Sequence, residues 1–227
     1  MLHRILGHVG KPKMKSVVAK HHLMGLKPHH VDLLTYCEAC KVGSAKFKPK
    51  NRISDNKAKR FGERLMSDNS GKLRVKSTNG SQYACVIVDE YSSWVWIKGL
   101  KSTSETYHFV RHVIQVELHQ RNDHAVKFFR SDNGTEYINT AMNTLLANHG
   151  IVRERTCPAS SSQNGKAERT IGILFAMMRK ALYEARLPPS FWLEALQWAV
   201  YTYNRIPLSH RKDGKSPYDL RYNKQPS

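Results

Sequence analysis

Three acidic residues far apart in the chain have the types and spacing of a divalent-metal site: Asp68, Asp132 and, with 35 residues between it and Asp132, Glu168. Breaking or joining a phosphodiester needs an attacking oxygen made reactive and a departing oxygen relieved of charge. Two magnesium ions about 3.5 to 4 Å apart can do both. Magnesium takes hard oxygen ligands, keeps several waters and binds through few carboxylates plus substrate phosphate. Three carboxylates gathered without a metal would instead repel and raise one another's pKa. Taken singly, each acid has a plainer reading. Asp132 precedes Asn133-Gly134 and can serve a turn, and Glu168, early in a helical stretch, can serve the helix dipole. Asp89 and Glu136 lie near the same segments and are read as ordering a turn or a neighbouring basic group.

A second constellation is made of nitrogen and sulfur. His3 and His8 are followed, 28 residues after His8, by Cys37 and Cys40 with two residues between them. Four such ligands suit tetrahedral Zn²⁺, and a closed shell of four protein ligands makes the metal structural. So short a segment buries little core, so metal binding would supply much of its folding free energy. His21, His22, His29 and His30 compete for the histidine positions. The other cysteines, Cys85 in an apolar run and Cys157 before a proline, suggest no disulfide framework.

The charge balance points to an anionic partner. The chain has 227 residues, with 37 Lys and Arg against 18 Asp and Glu, a net charge of +19. Nine of those cations fall within residues 41–64. That strip reads either as a solvated charge run or as a surface that neutralises phosphates and releases counterions. An apolar content of 40% argues against disorder. The longest apolar run, Tyr83 to Val88, is far short of the ~20 residues a membrane span requires. The first residues resemble neither a signal nor a transit peptide, and a soluble, intracellular protein is expected.

The elements that must position the acids follow from periodicity. Strands are predicted near 64–68, 83–88, 94–97, 126–129 and 151–152, with 89–93 as a hairpin turn between the second and third. Ser102 and Glu105 suggest a capping box opening a helix over about 103–120, and 140–149 reads as a short helix ended by Gly150. From 161 onward Ala167, Ile171, Leu174, Met178 and Leu182 mark one buried helical stripe beside Glu168. Another helix begins at Phe191-Trp192 and ends at Pro207. The order is that of an α/β fold with a mixed sheet, in which Asp68 and Asp132 fall at strand ends and Glu168 at a helix start. The chain divides into a zinc-binding module (1–45), a basic linker (46–62), a catalytic core (63–209) and a C-terminal tail (210–227).

Asp, Asp and, 35 residues on, Glu over such a pattern resembles the D,D(35)E triad of retroviral and retrotransposon integrases. The resemblance extends further. His3 through His8, Tyr36-Cys37-Glu38-Ala39-Cys40, Val88-Asp89-Glu90-Tyr91-Ser92, Arg130 through Tyr137, Gln163 through Arg169, Leu187-Pro188 with Phe191-Trp192, Asn204 through Pro207 and Ser216-Pro217-Tyr218 are similar, in order, to blocks of copia-type (Ty1/copia, Pseudoviridae) integrases. The resemblance implies a ribonuclease H-like core preceded by a helical HHCC zinc module. It implies DNA strand transfer, with possible endonucleolytic end trimming, supported by two Mg or Mn ions. Asp68 would contact both ions, Asp132 one and Glu168 the other. Arg130, Asn164, Lys166 and Arg169 would lie beside the phosphates of retroelement ends and target DNA. A homo-oligomer acting in the nucleus after a cytoplasmic particle stage is expected, and the chain reads as a truncated fragment of a polyprotein. It departs from the family pattern in having Met66 where His is usual, Lys72 for Pro and Ile171 for Asn. Those departures leave open a catalytically inactive, retained DNA-binding module. A hybrid-cleaving ribonuclease is a third reading, one with no use for the zinc module.

Overall fold

A computed structural model describes residues 2–21, 27–33, 37–43, 57–120, 126–155, 165–209, 211 and 213–226. Backbone contacts divide the chain into two units, residues 48–172 and residues 1–47 with 173–227.

The first of these units is built on five strands: β1 (Arg64–Asn69), β2 (Tyr83–Asp89), β3 (Val95–Leu100), β4 (Phe128–Ser131) and β5 (Val152–Arg155). They form one mixed sheet, as the sequence pattern predicts, in the spatial order β3-β2-β1-β4-β5. The hairpin pairs β2 with β3, and β2 also runs antiparallel to β1, whereas β1–β4 and β4–β5 are parallel. From Ala84 to Val88 every side chain of β2 is buried. A strand apolar on both faces belongs inside a sheet, covered on both sides.

The stretch expected as one helix over 103–120 is a continuous helical path in three windings. A 3₁₀ turn at Thr103–Glu105 leads into α-helix Thr106–His112 and then a π stretch at Val113–Gln120, with Phe109, Val110, Val113, Ile114 and Leu118 buried. Its cap differs from the expected box. The Ser102 hydroxyl accepts from the Ser104 N–H, and Glu105 accepts from the Lys101 N–H, each one residue away from the reciprocal pattern. A second helix, Thr140–Asn148, is capped by the Asn139 side chain on the Met142 N–H at 2.9 Å.

Arg64, in β1, is nearly fully buried and lies under two acids. Its guanidinium reaches Glu90 at 2.6 Å and Glu154 at 3.0 Å, and stacks on the Phe128 ring. Glu154 also holds Arg130 at 2.7 Å, a partner set opposite it by the β4–β5 register. The Glu90 carboxylate in turn accepts from the Ala58 backbone N–H. The cluster therefore staples β1, β4 and β5 to the turn after β2.

The other unit contains four-residue helix Leu2–Ile5, helix Lys11–His21, a 3₁₀ segment Pro28–Leu33, helix Glu38–Gly43, the later part of helix Gly165–Ala185, and helices Trp192–Arg205 and Pro217–Tyr222. Its small apolar cluster joins Leu6, Met14, Val17, Val18 and Val31 to Ile206. Along the stripe of the long helix Leu174 and Met178 are buried, with Met177 beside them, while Ile171 and Leu182 are half-buried. Part of the stretch expected as tail is ordered. Ser216 and Asp219 cap Pro217–Tyr222 reciprocally, each side chain accepting from the other's backbone N–H. No helix among the described residues is long and apolar enough to cross a membrane.

Removing one member of a buried ion cluster leaves the others uncompensated. Arg64→Ala is expected to lower the free energy of unfolding by about 3 to 5 kcal/mol, read from urea denaturation; a loss below about 1 kcal/mol, the scale of an exposed ion pair, would contradict this role.

Candidate active site and metal centre

Asp68 is set by β1 and Asp132 by the end of β4. These strands are parallel neighbours, with Arg64 opposite Phe128, Leu65 opposite Phe129 and Met66 opposite Arg130. The same offset, carried two residues on, brings Asp132 level with Asp68. Neighbouring strands run about 4.8 Å apart, so the register puts both acids at the C-terminal ends of adjacent parallel strands. Asp68 is half-buried and Asp132 exposed. Glu168 lies in the first turn of Gly165–Ala185, and its charge is felt at Asp68. Burial first, then the charges of Asp132 and Glu168, push the Asp68 carboxyl up to about 7.

Backbone and side-chain contacts explain how the acids are held. The Gly134 N–H donates to Asp132 Oδ1 at 3.0 Å, so the Asn-Gly turn serves the acid as well as the chain reversal. A Cβ at Gly134 would lie 2.6 Å from Glu136 Oε2 and 3.1 Å from Asp132 Oδ1, so a side chain here would make the Glu136 carboxylate shift. Glu136 accepts from Asn69 Nδ2 at 3.1 Å. Its charge also adds to the upward shift of Asp68, so it belongs to the surroundings of the acids. Asn69 Nδ2 also reaches Thr106, and the Tyr137 hydroxyl donates to Asn69 Oδ1 while lying 2.9 Å from Ser67 Oγ. Burial drives the Tyr137 hydroxyl well above its ordinary pKa and pushes the Cys85 thiol up to about 12, so both stay protonated beneath the site.

Asp89 orders a turn, as its sequence setting suggests. Its buried carboxylate accepts from the backbone N–H of Gly62 and of Ser92 and from the Ser92 hydroxyl. The Lys166 ammonium donates to the backbone carbonyl of Glu90, with Asp89 O at 3.5 Å, tying the start of the Glu168 helix to that turn. Arg130 is held by Glu154. These two expected phosphate contacts therefore have protein partners. Arg169 is exposed, and Asn164 lies outside the described residues, as does most of the 41–64 strip.

His3, His8, Cys37 and Cys40 come together in the other unit, their ligand atoms all within 4.8 Å of one another. The local chain path explains the pairing. Gly7 and His8 are both left-handed, at φ 67° and 61°, and end the first helix so that the His8 N–H returns to the His3 carbonyl. A Cβ on Gly7 would collide with Met177 Cε. His3 Nε2 lies 3.2 Å from Cys40 Sγ, and His8 Nδ1 lies 3.2 Å from Cys37 Sγ and 3.8 Å from Cys40 Sγ. Zinc bonds of about 2.0 to 2.3 Å place tetrahedral ligands about 3.3 to 3.8 Å apart, so the set fits such an ion. Burial, then the neighbouring His3, lowers His8 to about 4, and burial lowers His3, so both rings stay in the neutral form a metal needs. Burial raises the Cys40 thiol, and the Lys180 charge opposes that rise.

Residues 58–161 match the family model described as "Integrase core domain". The chain is 28% identical over 205 residues to the retrovirus-related Pol polyprotein from transposon TNT 1-94 of Nicotiana tabacum, a match spanning 90% of this chain and 15% of that one. It is 26% identical to the corresponding polyprotein from transposon RE2 of Arabidopsis thaliana, over 90% of this chain and 14% of that one. The chain thus spans about a seventh of the length of these curated relatives. Among solved structures, a chain of the simian T-cell lymphotropic virus intasome in complex with a PP2A regulatory subunit superposes with a TM-score of 0.61 at 21% identity, covering 97% of this chain and 73% of that one. The HTLV-2 integrase catalytic core domain in complex with magnesium (trimeric form) gives a TM-score of 0.54 at 18% identity, over 72% and 99%. These likenesses show a ribonuclease H-like fold.

Two outcomes follow from the charges. Asp68 titrates near 7 in the folded chain against 3.8 ordinarily, so the folded state holds its proton more tightly. Without metal, the stability this group contributes is present at low pH and lost as pH rises through that window. Asp68→Asn is expected to raise the metal-free Tm at pH 8 by about 2 to 5 °C and to change it little at pH 4, with no gain at pH 8 contradicting the repulsion. For the other centre, the purified chain is expected to hold about one zinc. Elemental analysis of Cys37→Ser and Cys40→Ser chains should show that zinc gone, and full retention would sink the assignment.

Proposed function

We propose that this chain, a relative of the copia-type retrotransposon integrases with an integrase core domain at residues 58–161, joins retroelement DNA ends to target DNA through Asp68, Asp132 and Glu168. The observation that carries the reading is the raised Asp68 carboxyl, held near 7 by burial together with the charges of Asp132 and Glu168. Divalent cations would relieve the repulsion that Asp132 and Glu168 add to the burial of Asp68. Oxygen donors alone suit Mg²⁺ or Mn²⁺. When bound, the cations supply the positive charge that makes an attacking water or 3′-hydroxyl oxygen reactive and relieves the departing oxygen.

The chain's own residues then have distinct tasks. Asp68, level with Asp132 by the strand register and within reach of the Glu168 charge, would hold the divalent cations together with Asp132 and Glu168. The Gly134 N–H fixes the Asp132 oxygen, and Lys166 fixes the first turn that presents Glu168. Arg169, one residue past Glu168, meets the DNA backbone, and the net charge of +19 draws DNA to the site. Asn164, Lys166 and Arg130 were expected on the same phosphates; by the contacts above, Lys166 and Arg130 serve by holding the site's supports. Zinc at His3, His8, Cys37 and Cys40 is structural, its four protein ligands leaving no open position. Two DNA ends must reach one target, so the working form is a homo-oligomer, acting where chromosomal DNA lies.

The test is a joining assay with Mg²⁺ or Mn²⁺, a labelled duplex carrying the element's terminal sequence and a plasmid target. Asp132→Asn and Glu168→Gln are each expected to lower joining at least about a hundredfold, the scale of removing one charge-stabilising group, while leaving DNA binding intact. Salt-sensitive DNA binding without any metal-dependent joining by the unaltered chain would overturn the enzyme and favour a retained DNA-binding module.

A further inference from the structure

The metal centre at His3, His8, Cys37 and Cys40 has a neighbour that its own segment does not supply. His3 and His8 each present one ring nitrogen to the cysteine sulfurs and leave one facing outward. For His3 the outward Nδ1 donates to the Val9 carbonyl at 3.1 Å, which fixes the tautomer and leaves Nε2 for the metal. For His8 the assignment is reversed: Nδ1 faces the sulfurs, and Nε2 points toward Glu184 Oε2 at 4.0 Å. That ring is buried, with its side chain 1% exposed. Glu184 comes from near the end of helix Gly165–Ala185, more than 170 positions along the chain, and its other oxygen is held by Arg4 at 2.6 Å.

A histidine that binds a metal through one nitrogen carries its proton on the other, and a carboxylate facing that N–H orients the ring and makes the bound nitrogen more basic. We propose that Glu184 is the positioning carboxylate for the His8 ligand, so that zinc affinity is set partly by a residue outside the His and Cys motif. The inference rests on the zinc reading above. At 4.0 Å the contact exceeds hydrogen-bond length, so the orientation is electrostatic here. The surrounding charges fit this role. Lys180, one turn before Glu184 on the same helix, and Arg4 both bear on His8 as positive charges, and the Glu184 carboxylate opposes them. Lys180 also favours the thiolate form of Cys40. One helix therefore presents an anion toward the histidine N–H and a cation toward the thiolate, the sign each needs once a metal is bound.

The experiment uses the full chain and measures Zn²⁺ affinity by competition with a chromophoric chelator for the unaltered chain, Glu184→Ala and Glu184→Gln. Thermal midpoints of the metal-free chains are read in parallel. Glu184→Ala is expected to weaken zinc binding about 10- to 100-fold, Glu184→Gln by less, and both to leave the metal-free midpoint unchanged. The visible bands of the Co²⁺-loaded chain should shift in Glu184→Ala, a change that a purely structural residue would not produce. Zinc affinity equal to that of the unaltered chain in both variants, or a fall in metal-free midpoint that accounts for the whole loss, would overturn the role of Glu184 while leaving the zinc centre standing. An unaltered chain that takes up no Zn²⁺ would instead overturn the zinc reading itself.

Discussion

Negative charge held at one edge of a parallel strand pair is the constraint on which the rest of this molecule turns. The β1–β4 register brings Asp132 level with Asp68, the helix start adds Glu168, and Asn69 keeps Glu136 close by. Like charges so placed disfavour the folded state unless a proton or a cation intervenes, and the Asp68 carboxyl shows the first of these in its shift to about 7. The sheet around it is correspondingly well fastened. Arg64 and Arg130 are locked to Glu90 and Glu154, and Lys166 closes on the turn beyond β2. Such fastening holds the β1–β4 register on which the placing of Asp68 and Asp132 depends.

The second unit solves a different problem. Its N-terminal segment supplies most of one small apolar cluster, Leu6, Met14, Val17, Val18 and Val31, which Ile206 completes. Four side chains able to hold a metal, His3 before the left-handed Gly7-His8 turn, His8 within it and Cys37 and Cys40 beyond, gather beside that cluster. A small domain with little core depends on such a staple.

Much of this was legible in the sequence because it is written locally. Alternation and apolar runs located the five strands, and the types and spacing of His3, His8, Cys37 and Cys40 pointed to side chains the structure does bring together. What escaped was long-range or depended on register. Nothing in the sequence aligns residue 68 with residue 132; that comes from the parallel pairing. The resemblance implies Lys166 and Arg130 beside phosphates, and the fold also gives them protein partners that no local pattern shows, the carbonyls of a distant turn and a carboxylate across β4–β5. Glu184 carries no motif and is brought to His8 only by the fold. Ser216 and Asp219, by contrast, form a capping box that the sequence does display in a stretch expected as tail. Ser102 does cap the helix, but the expected reciprocal box with Glu105 does not form, because the helix opens with a 3₁₀ turn.

The most direct measurement of the central claim is anomalous diffraction from crystals of the chain with DNA and saturating Mn²⁺. The account predicts manganese peaks within coordination distance, about 2.1 to 2.3 Å, of Asp68, with Asp132 sharing one ion and Glu168 the other. Well-ordered carboxylates with no manganese between them, DNA being present, would contradict it.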